Sequence, residues 1–216
     1  MSNADPHLTL PLQVYGCAPR DAALAVILVH GRGQSPEWMC DAVVRRFGRD
    51  DLVWHAPAAA GQSWYPQRFI APLEDNEPHL SHALAALDAL SSTLREQGFP
   101  YESQVLVGFS QGACLCSEFV WRAGRRYRAL VAFTGGLIGP PGMHRDIVPG
   151  VFDGMPVLLS TWNDDPHVPA QSVHETAQRF AEAGAHVTLK IETGIEHGIR
   201  DAEIAYARAL LSGRQP

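Results

Sequence analysis

Short apolar segments alternate with longer amphipathic segments along most of the chain, and this alternation constrains the fold more than any other feature. Residues 23–30 form a continuous apolar run of strand length, as expected of a strand covered on both faces. Similar runs occupy 51–57, 104–109, 129–135, 156–162 and 186–192, and helix-like stretches occupy 36–48, 77–97, 111–123, 170–183 and 201–211. This order predicts an α/β fold with a mostly parallel sheet of about seven strands and helices on both faces.

The ends of the chain and one connection depart from this pattern. Residues 8–16 contain Pro11 and predict an antiparallel edge strand. Residues 135–155 are rich in Gly and Pro and predict an irregular loop rather than a crossover helix, with a role as a pocket wall or lid. Since no repeat or linker interrupts the 216 residues, we expect one domain over residues 1–216.

Charge and hydropathy exclude several classes of function. The formal net charge is −6 and the basic residues are scattered, which argues against a nucleic-acid surface. No segment approaches the roughly 20 apolar residues of a membrane span, and the first residues lack the pattern of a signal peptide. We therefore expect a cytoplasmic protein with no stable membrane insertion. The oligomeric state is left open, with a homodimer as one option.

The segment GFSQG at 108–112 lies between a predicted buried strand and a predicted helix. This is the context of a nucleophile elbow, in which a sharp turn lifts a serine hydroxyl above the sheet at the amino end of a helix. Glycines two positions before and after the serine let the strand and helix approach closely. The pattern predicts that Ser110 is a nucleophile, while Cys114, one turn further on, is expected to pack behind the elbow.

A serine nucleophile needs a base, and two histidines follow predicted strands at the expected edge of the sheet. The chain order for this type of site is serine, then acid, then histidine. His167 precedes the helix that leads to the last strand, whereas His197 follows that strand. The order therefore favours His197 as the base.

The acid that orients the base has three candidates. Asp164 and Asp165 both follow the strand at 156–162, and their position alone does not separate them. Asp165 precedes Pro166, which favours an extended backbone at the end of the strand. Asp201 lies four residues after His197 and is expected to cap the last helix instead.

Four motifs in this order resemble the phospholipase/carboxylesterase family of α/β-hydrolases, which includes acyl-protein thioesterases. They are VHGRG at 29–33, GFSQG at 108–112, DPHVP at 165–169 and EHG at 196–198. The resemblance implies a catalytic triad of Ser110, Asp165 and His197. It also implies an oxyanion hole formed by the backbone N–H groups of Arg32 and Gln111. Many family members have His-Gly shortly before the acid, where this chain has Thr161 and Trp162.

The substrate is predicted less directly. The segment AGQSWYP at 60–66 resembles a pocket-lining segment of the family. An apolar wall of mainly aromatic side chains is expected there, which favours uncharged short- to medium-chain or aromatic esters. The residues assigned to this pocket are Trp38, Trp64, Tyr65, Leu137, Ile138, Trp162 and Val168.

The expected reaction is hydrolysis of a carboxylic ester or thioester through an acyl-enzyme, with no metal or organic cofactor. One alternative is an acyl thioesterase or lysophospholipase acting on long-chain substrates. Another is different chemistry on the same triad, such as dienelactone hydrolysis, peptidase action or perhydrolysis. A non-catalytic ligand-binding relative belongs to a different class of function and would be expected to have lost a triad member.

Overall fold

The computed structural model describes residue 7 and residues 9–212. The strands are β1 Gln13–Gly16, β2 Leu24–Val29, β3 Leu52–Ala56, β4 Gln104–Phe109, β5 Ala129–Phe133, β6 Pro156–Trp162 and β7 His186–Glu192. The main helices are α1 Pro36–Met39, α2 Arg45–Phe47, α3 His79–Glu96, α4 Gln111–Ala123, α5 Ala170–Glu182 and α6 Asp201–Leu211. A π-helical turn, Cys40–Val44, joins α1 to α2.

The seven strands form one sheet in the order β1-β3-β2-β4-β5-β6-β7. The edge strand β1 pairs antiparallel with β3, and every other pair is parallel. The predicted mostly parallel α/β sheet is therefore confirmed, as is the antiparallel edge strand in the N-terminal segment. That strand begins at Gln13, two residues after Pro11, so the proline disturbs none of the ladder described by the structure.

Both faces of the sheet are covered by apolar side chains, which explains why the central strands read as continuous apolar runs. Every residue of β2, β3, β4 and β5 is buried. One face packs against α3, α4 and α5. The other face packs against α6 and the helical segment from α1 to α2. Burial on two sides leaves the connections at the sheet edges as the accessible parts of the fold.

The first helical segment differs from its sequence prediction in one respect. It begins as expected, because the Ser35 side chain accepts a hydrogen bond from the Trp38 N–H and Pro36 occupies the first helical position. In the middle the hydrogen bonds shift to the wider π pattern, with the Arg45 N–H donating to the Cys40 carbonyl. The segment ends at Phe47, before Gly48 in the left-handed conformation.

The irregular segment after β5 is tied to α4 by a buried carboxylate. The Glu118 side chain is fully buried and accepts hydrogen bonds from the Ile138 N–H at 3.0 Å and from the Arg145 guanidinium at 2.8 Å. Arg122 pairs with the same carboxylate at 2.7 Å. Two cations and one N–H donor thus compensate the burial of one negative charge and hold the start of the segment against the core.

The parallel arrangement brings the carboxyl ends of β2, β4, β6 and β7 to one edge of the sheet. The connections that follow these strands carry the four motifs identified in the sequence, so the motifs meet at this edge.

Within residues 9–212, no helix is long and apolar enough to cross a membrane.

Candidate active site

Ser110 lies at the tip of a sharp turn between β4 and α4. Its backbone angles, φ 53° and ψ −119°, are strained for a residue with a side chain. A Cβ atom at Gly108 would lie 2.4 Å from the Gly112 carbonyl oxygen, and one at Gly112 would lie 2.2 Å from the Val29 carbonyl oxygen. Only glycine fits at either position, so the two glycines are required by the close approach of strand, helix and neighbouring turn.

The serine hydroxyl, an imidazole and a carboxylate form a continuous hydrogen-bonded chain. Ser110 Oγ lies 2.8 Å from His197 Nε2, and His197 Nδ1 lies 2.7 Å from Asp165 Oδ2. The three side chains come from the ends of β4, β6 and β7. With a proton on Nδ1 donated to the carboxylate, Nε2 is left as an acceptor for the serine hydroxyl. This arrangement is able to remove the hydroxyl proton as the oxygen attacks an electrophile.

The Asp165 carboxylate is held rigidly, and this separates it from its neighbour. Its side chain is fully buried, and Oδ1 accepts the N–H groups of His167 at 2.7 Å and Val168 at 2.9 Å. Asp164 is exposed and lies outside this arrangement. Of the two adjacent aspartates, which sequence position alone did not separate, Asp165 is the one whose carboxylate faces His197.

The other two candidates, His167 and Asp201, do not take part in this hydrogen-bonded arrangement of Ser110, His197 and Asp165 among the described residues. His167 is exposed, and its ring centroid lies 5.0 Å from that of His197. Asp201 pairs with Arg46 at 2.7 Å in the first turn of α6. The cap position of that helix is Arg200, whose backbone N–H donates to Glu203, so the expectation of an Asp201 cap is corrected by one residue.

The backbone N–H groups of Arg32 and Gln111 are the two donors that the sequence predicted for an oxyanion hole. Gln111 is the first residue of α4, so its N–H has no acceptor within the helix. The second N–H lies in the turn at 30–33, which follows β2. In this turn the Gly31 N–H donates to the Gln34 side chain and the Gly33 N–H donates to the Gln62 carbonyl. The Arg32 N–H has no acceptor among the described residues. Arg32 and Gln111 both line the cavity that contains Ser110. The two donors would stabilise negative charge developing on a carbonyl oxygen.

The buried side chains of Gln111 and His30, for which the sequence predicted no role, hold the turns that follow β4 and β2 in place. The Gln111 side chain accepts the Trp64 N–H at 3.0 Å and donates to the Tyr65 carbonyl at 2.8 Å. His30 accepts the Ala59 N–H at Nε2, which leaves its proton on Nδ1. Burial lowers the pKa of His30, so it is neutral in this position. The only sequence signal for the roles of these two side chains was their position inside the motifs at 29–33 and 108–112.

Ser110 and His197 open onto a cavity of about 500 Å³. Of the seven residues predicted for the pocket, Tyr65 and Val168 line it. Arg32, Arg68 and His167 line it as well, together with Gln34, Gln67 and Phe69. The lining is therefore more polar and more cationic than the aromatic wall expected from the sequence. Gln67, Arg68 and Phe69 immediately follow the recognised pocket segment at 60–66, and extending that segment by three residues would have included them.

The other five residues predicted for the pocket do not line this cavity, so the set of residues assigned to the aromatic wall is corrected. Trp64 is fully buried, and its indole N–H donates to the His30 carbonyl at 2.8 Å. Trp38 is exposed and stacks on Phe109, with the two ring centroids 5.2 Å apart. The remaining three are Leu137 and Ile138, which belong to the core cluster, and Trp162, which lies under the Arg200 guanidinium at 4.5 Å. Packing rather than the cavity accounts for these side chains.

The buried thiol of Cys114 lies one helical turn beyond Ser110. Burial raises the pKa of the Cys114 thiol to about 12, so this sulfur stays protonated and does not compete with Ser110 as a nucleophile. No cluster of three or more His, Cys, Asp or Glu side chains able to hold a metal ion occurs in the part of the chain that the structure describes.

Comparisons with known proteins agree with this architecture. The phospholipase/carboxylesterase family matches residues 15–213. A phospholipase/carboxylesterase from Dyadobacter fermentans is 34% identical, with 93% of this chain and 95% of that chain covered and a TM-score of 0.83. A search of curated proteins finds no match.

Two further solved structures share the fold at lower identity. Esterase PE8 is 23% identical, with 94% of this chain and 98% of that chain covered and a TM-score of 0.75. A carboxylesterase from Mesorhizobium loti is 18% identical, with coverages of 99% and 97% and a TM-score of 0.71. The fold, the extent of the family match and the identity to the Dyadobacter protein together place this chain in the phospholipase/carboxylesterase family of α/β-hydrolases, and it is a serine hydrolase of that family.

Proposed function

We propose that this protein hydrolyses carboxylic esters through a catalytic triad of Ser110, His197 and Asp165 and an acyl-enzyme intermediate. The observation that carries the proposal is the position of His197, whose two ring nitrogens lie within hydrogen-bond distance of Ser110 and of Asp165. Activation of a serine requires a base that is itself oriented, and this imidazole satisfies both conditions.

The first half of the reaction is acylation. His197 Nε2 takes the hydroxyl proton while Ser110 Oγ attacks the ester carbonyl carbon, giving a tetrahedral intermediate with a negative oxygen. The N–H groups of Arg32 and Gln111 stabilise that oxygen, each by roughly 3 kcal/mol, a magnitude taken from removal of such donors in other hydrolases. The bond to the alcohol oxygen then breaks, and the proton held on His197 passes to the leaving alcohol.

The second half is hydrolysis of the acyl-enzyme. His197 takes a proton from water, whose oxygen attacks the acyl carbon. The second tetrahedral intermediate collapses, Ser110 regains its proton from His197, and the carboxylic acid is released. Throughout, the buried Asp165 carboxylate stays ionised and stabilises the positive imidazolium formed in each half.

The cavity supports small to medium acyl or alcohol groups. Its volume of about 500 Å³ is in the usual range for sites that bind small molecules. A thioester presents the same carbonyl to Ser110, so thioesters of similar size belong to the proposed substrate range. The expected preference for uncharged substrates rested on a set of wall residues of which only Tyr65 and Val168 line this cavity. Because Arg32 and Arg68 line it as well, we do not retain that preference.

The experiment compares wild-type protein with Ser110→Ala on 4-nitrophenyl acetate and on the neutral thioester S-phenyl thioacetate. Removal of the nucleophile is expected to lower kcat by about 10⁴-fold or more. Ser81→Ala is the matched control because Ser81 is exposed on α3, and it should retain wild-type turnover. Equal turnover by Ser110→Ala and wild type would refute the triad, and absence of turnover with unimpaired ligand binding in the wild type would favour a non-catalytic relative.

A further inference from the structure

The cavity at Ser110 has a charge opposite to that of the protein as a whole. The chain has a formal net charge of −6, yet the residues that line the cavity include Arg32 and Arg68 and no aspartate or glutamate among those described. The triad acid, Asp165, is buried behind His197 with its oxygens occupied by three donors. The local excess of positive charge is therefore a property of this cavity and not of the composition.

Arg32 contributes a fixed positive charge. Its guanidinium donates to three backbone carbonyls, those of Tyr65, Pro66 and Gln67. These acceptors are neutral, and Arg32 forms no salt bridge with an acidic side chain within residues 9–212. The contacts hold the side chain in one place without cancelling its charge, so the charge acts on whatever occupies the cavity.

The Arg68 guanidinium keeps most of its N–H donors available for a ligand. One of its terminal nitrogens donates to the His167 carbonyl at 3.3 Å, and this is the single hydrogen bond of the guanidinium among the described residues. Because Arg68 and His167 both line the cavity, the guanidinium bridges two parts of its wall. A guanidinium has five N–H donors in a planar fork, which leaves most of them available to a carboxylate or phosphate.

The backbone that carries Arg68 is firmly placed. The fully buried Asn76 side chain accepts the Gln67 N–H at 2.8 Å and donates to the Arg68 carbonyl at 3.3 Å. By comparison, the partly buried Arg145 and Arg200 each pair with a carboxylate, Glu118 and Glu203 respectively. Arg68 is exposed, has no acidic partner among the described residues and lies on a segment held beside the reacting serine, which matches a recognition group for an anion.

We propose that the natural ester substrate of this protein carries an anionic group, a carboxylate or a phosphate, that binds the Arg68 guanidinium in the field of Arg32. The inference rests on the proposed ester hydrolysis and adds a substrate class to it. The anion would hold the ester carbonyl near Ser110, so the interaction should appear in kcat/KM for charged esters and be absent for neutral ones.

Matched ester pairs test the inference by placing the charge in different parts of the substrate. For the alcohol part, 4-acetoxybenzoate and 4-acetoxyphenyl phosphate are each compared with neutral 4-acetoxybenzamide. For the acyl part, mono-4-nitrophenyl glutarate is compared with 4-nitrophenyl pentanoate. The measured quantity is the ratio of kcat/KM for the anionic ester to that for its neutral partner. The pair whose ratio falls most when Arg68 is replaced identifies which part of the substrate carries the charge and which anion is preferred.

The variants are Arg68→Gln, Arg68→Lys and the control Arg126→Gln. Arg126 is exposed, lies outside the cavity and has no described ion pair, so its substitution makes the same change in net charge. Arg68→Gln should lower the anionic-to-neutral ratio by about ten-fold or more for at least one pair, the size of one lost charge-assisted hydrogen bond. Arg68→Lys should restore part of the ratio, and Arg126→Gln should leave it unchanged.

The outcomes separate this inference from the proposed function. Turnover of the neutral esters that disappears in Ser110→Ala supports the triad, whatever the ratios are. If that turnover is present and Arg68→Gln lowers anionic and neutral esters equally in every pair, the anionic substrate class is refuted. The same conclusion follows if Arg126→Gln changes the ratio as much as Arg68→Gln does. If no ester is turned over by the wild type, the proposed function fails and this inference fails with it.

Discussion

Replacing Asp165 with asparagine tests whether this carboxylate determines which nitrogen of His197 carries the proton. In the native site Oδ1 accepts the N–H groups of His167 and Val168, and Oδ2 faces His197 Nδ1 at 2.7 Å. An asparagine has one oxygen and one NH₂ group in the same two places, so its orientation decides the outcome.

The hydrogen bonds around position 165 favour the orientation of the asparagine amide in which His197 is inactive as a base. If the amide oxygen keeps the two backbone N–H groups, the NH₂ group faces His197 and forces Nδ1 to become the acceptor. The proton then lies on Nε2, which can no longer accept the proton of Ser110. The flipped amide leaves two buried N–H donors unsatisfied, at about 1–3 kcal/mol each. A total of about 2–6 kcal/mol confines the active orientation to roughly 1 in 30 molecules or fewer.

The substitution also removes the negative charge that stabilises the imidazolium. Together the two effects should lower kcat on 4-nitrophenyl acetate by about 10³- to 10⁴-fold, as for the equivalent change in a serine protease. Asp164→Asn is the control, since it makes the same chemical change at an adjacent exposed position. Steady-state kinetics and melting temperatures of the three proteins are compared. A folded Asp165→Asn variant within ten-fold of wild type, or an equal loss in Asp164→Asn, would refute this reasoning.

Two further predictions concern the elbow and a buried histidine. Gly112→Ala should destabilise the protein by about 1–3 kcal/mol or more, because the added Cβ would lie 2.2 Å from the Val29 carbonyl oxygen. Chemical denaturation would detect this, and Gly198→Ala, where an added Cβ meets nothing within 4 Å, should be near neutral. The His55 ring is buried, neither of its nitrogens has a hydrogen-bond partner in the part of the chain that the structure describes, and burial lowers its pKa below the ordinary 6.5. The unfolded chain therefore binds a proton at higher pH than the folded protein does, so stability falls as the pH falls below about 6.5. In His55→Phe the melting temperature should decline less between pH 7.5 and 5, and parallel declines would contradict this account.

Some features of the site were readable from short sequence patterns because local chemistry requires them. The turn at Ser110 needs glycine at 108 and 112 to avoid backbone overlap, and that requirement is visible as a pentapeptide. The order of apolar runs predicted the parallel sheet because a strand buried on both faces has few polar residues. Chain order distinguished His197 from His167 for a similar reason, since parallel strands deliver their following loops to the same edge.

Other features depend on contacts between distant segments and carry no local pattern. Trp64 and Trp162 looked like parts of a pocket, but burial against His30 and stacking under Arg200 account for them. The aromatic character of a residue reports that it packs, without reporting which surface it packs on. The cationic lining of the cavity was missed for the same reason, because Arg32 and Arg68 are separated by 36 positions and meet only when the chain folds.

The sequence by itself determined the layered α/β architecture, the nucleophile elbow and the residues able to form a triad, because these follow from periodicity, backbone sterics and the order of strands. Only the tertiary structure decided which of two adjacent aspartates faces His197, since the backbone turns after Trp162 and the direction of each side chain depends on the path of that turn. Tertiary structure also decided the charge of the cavity, because electrostatic potential sums over residues that are near in space and unrelated in sequence.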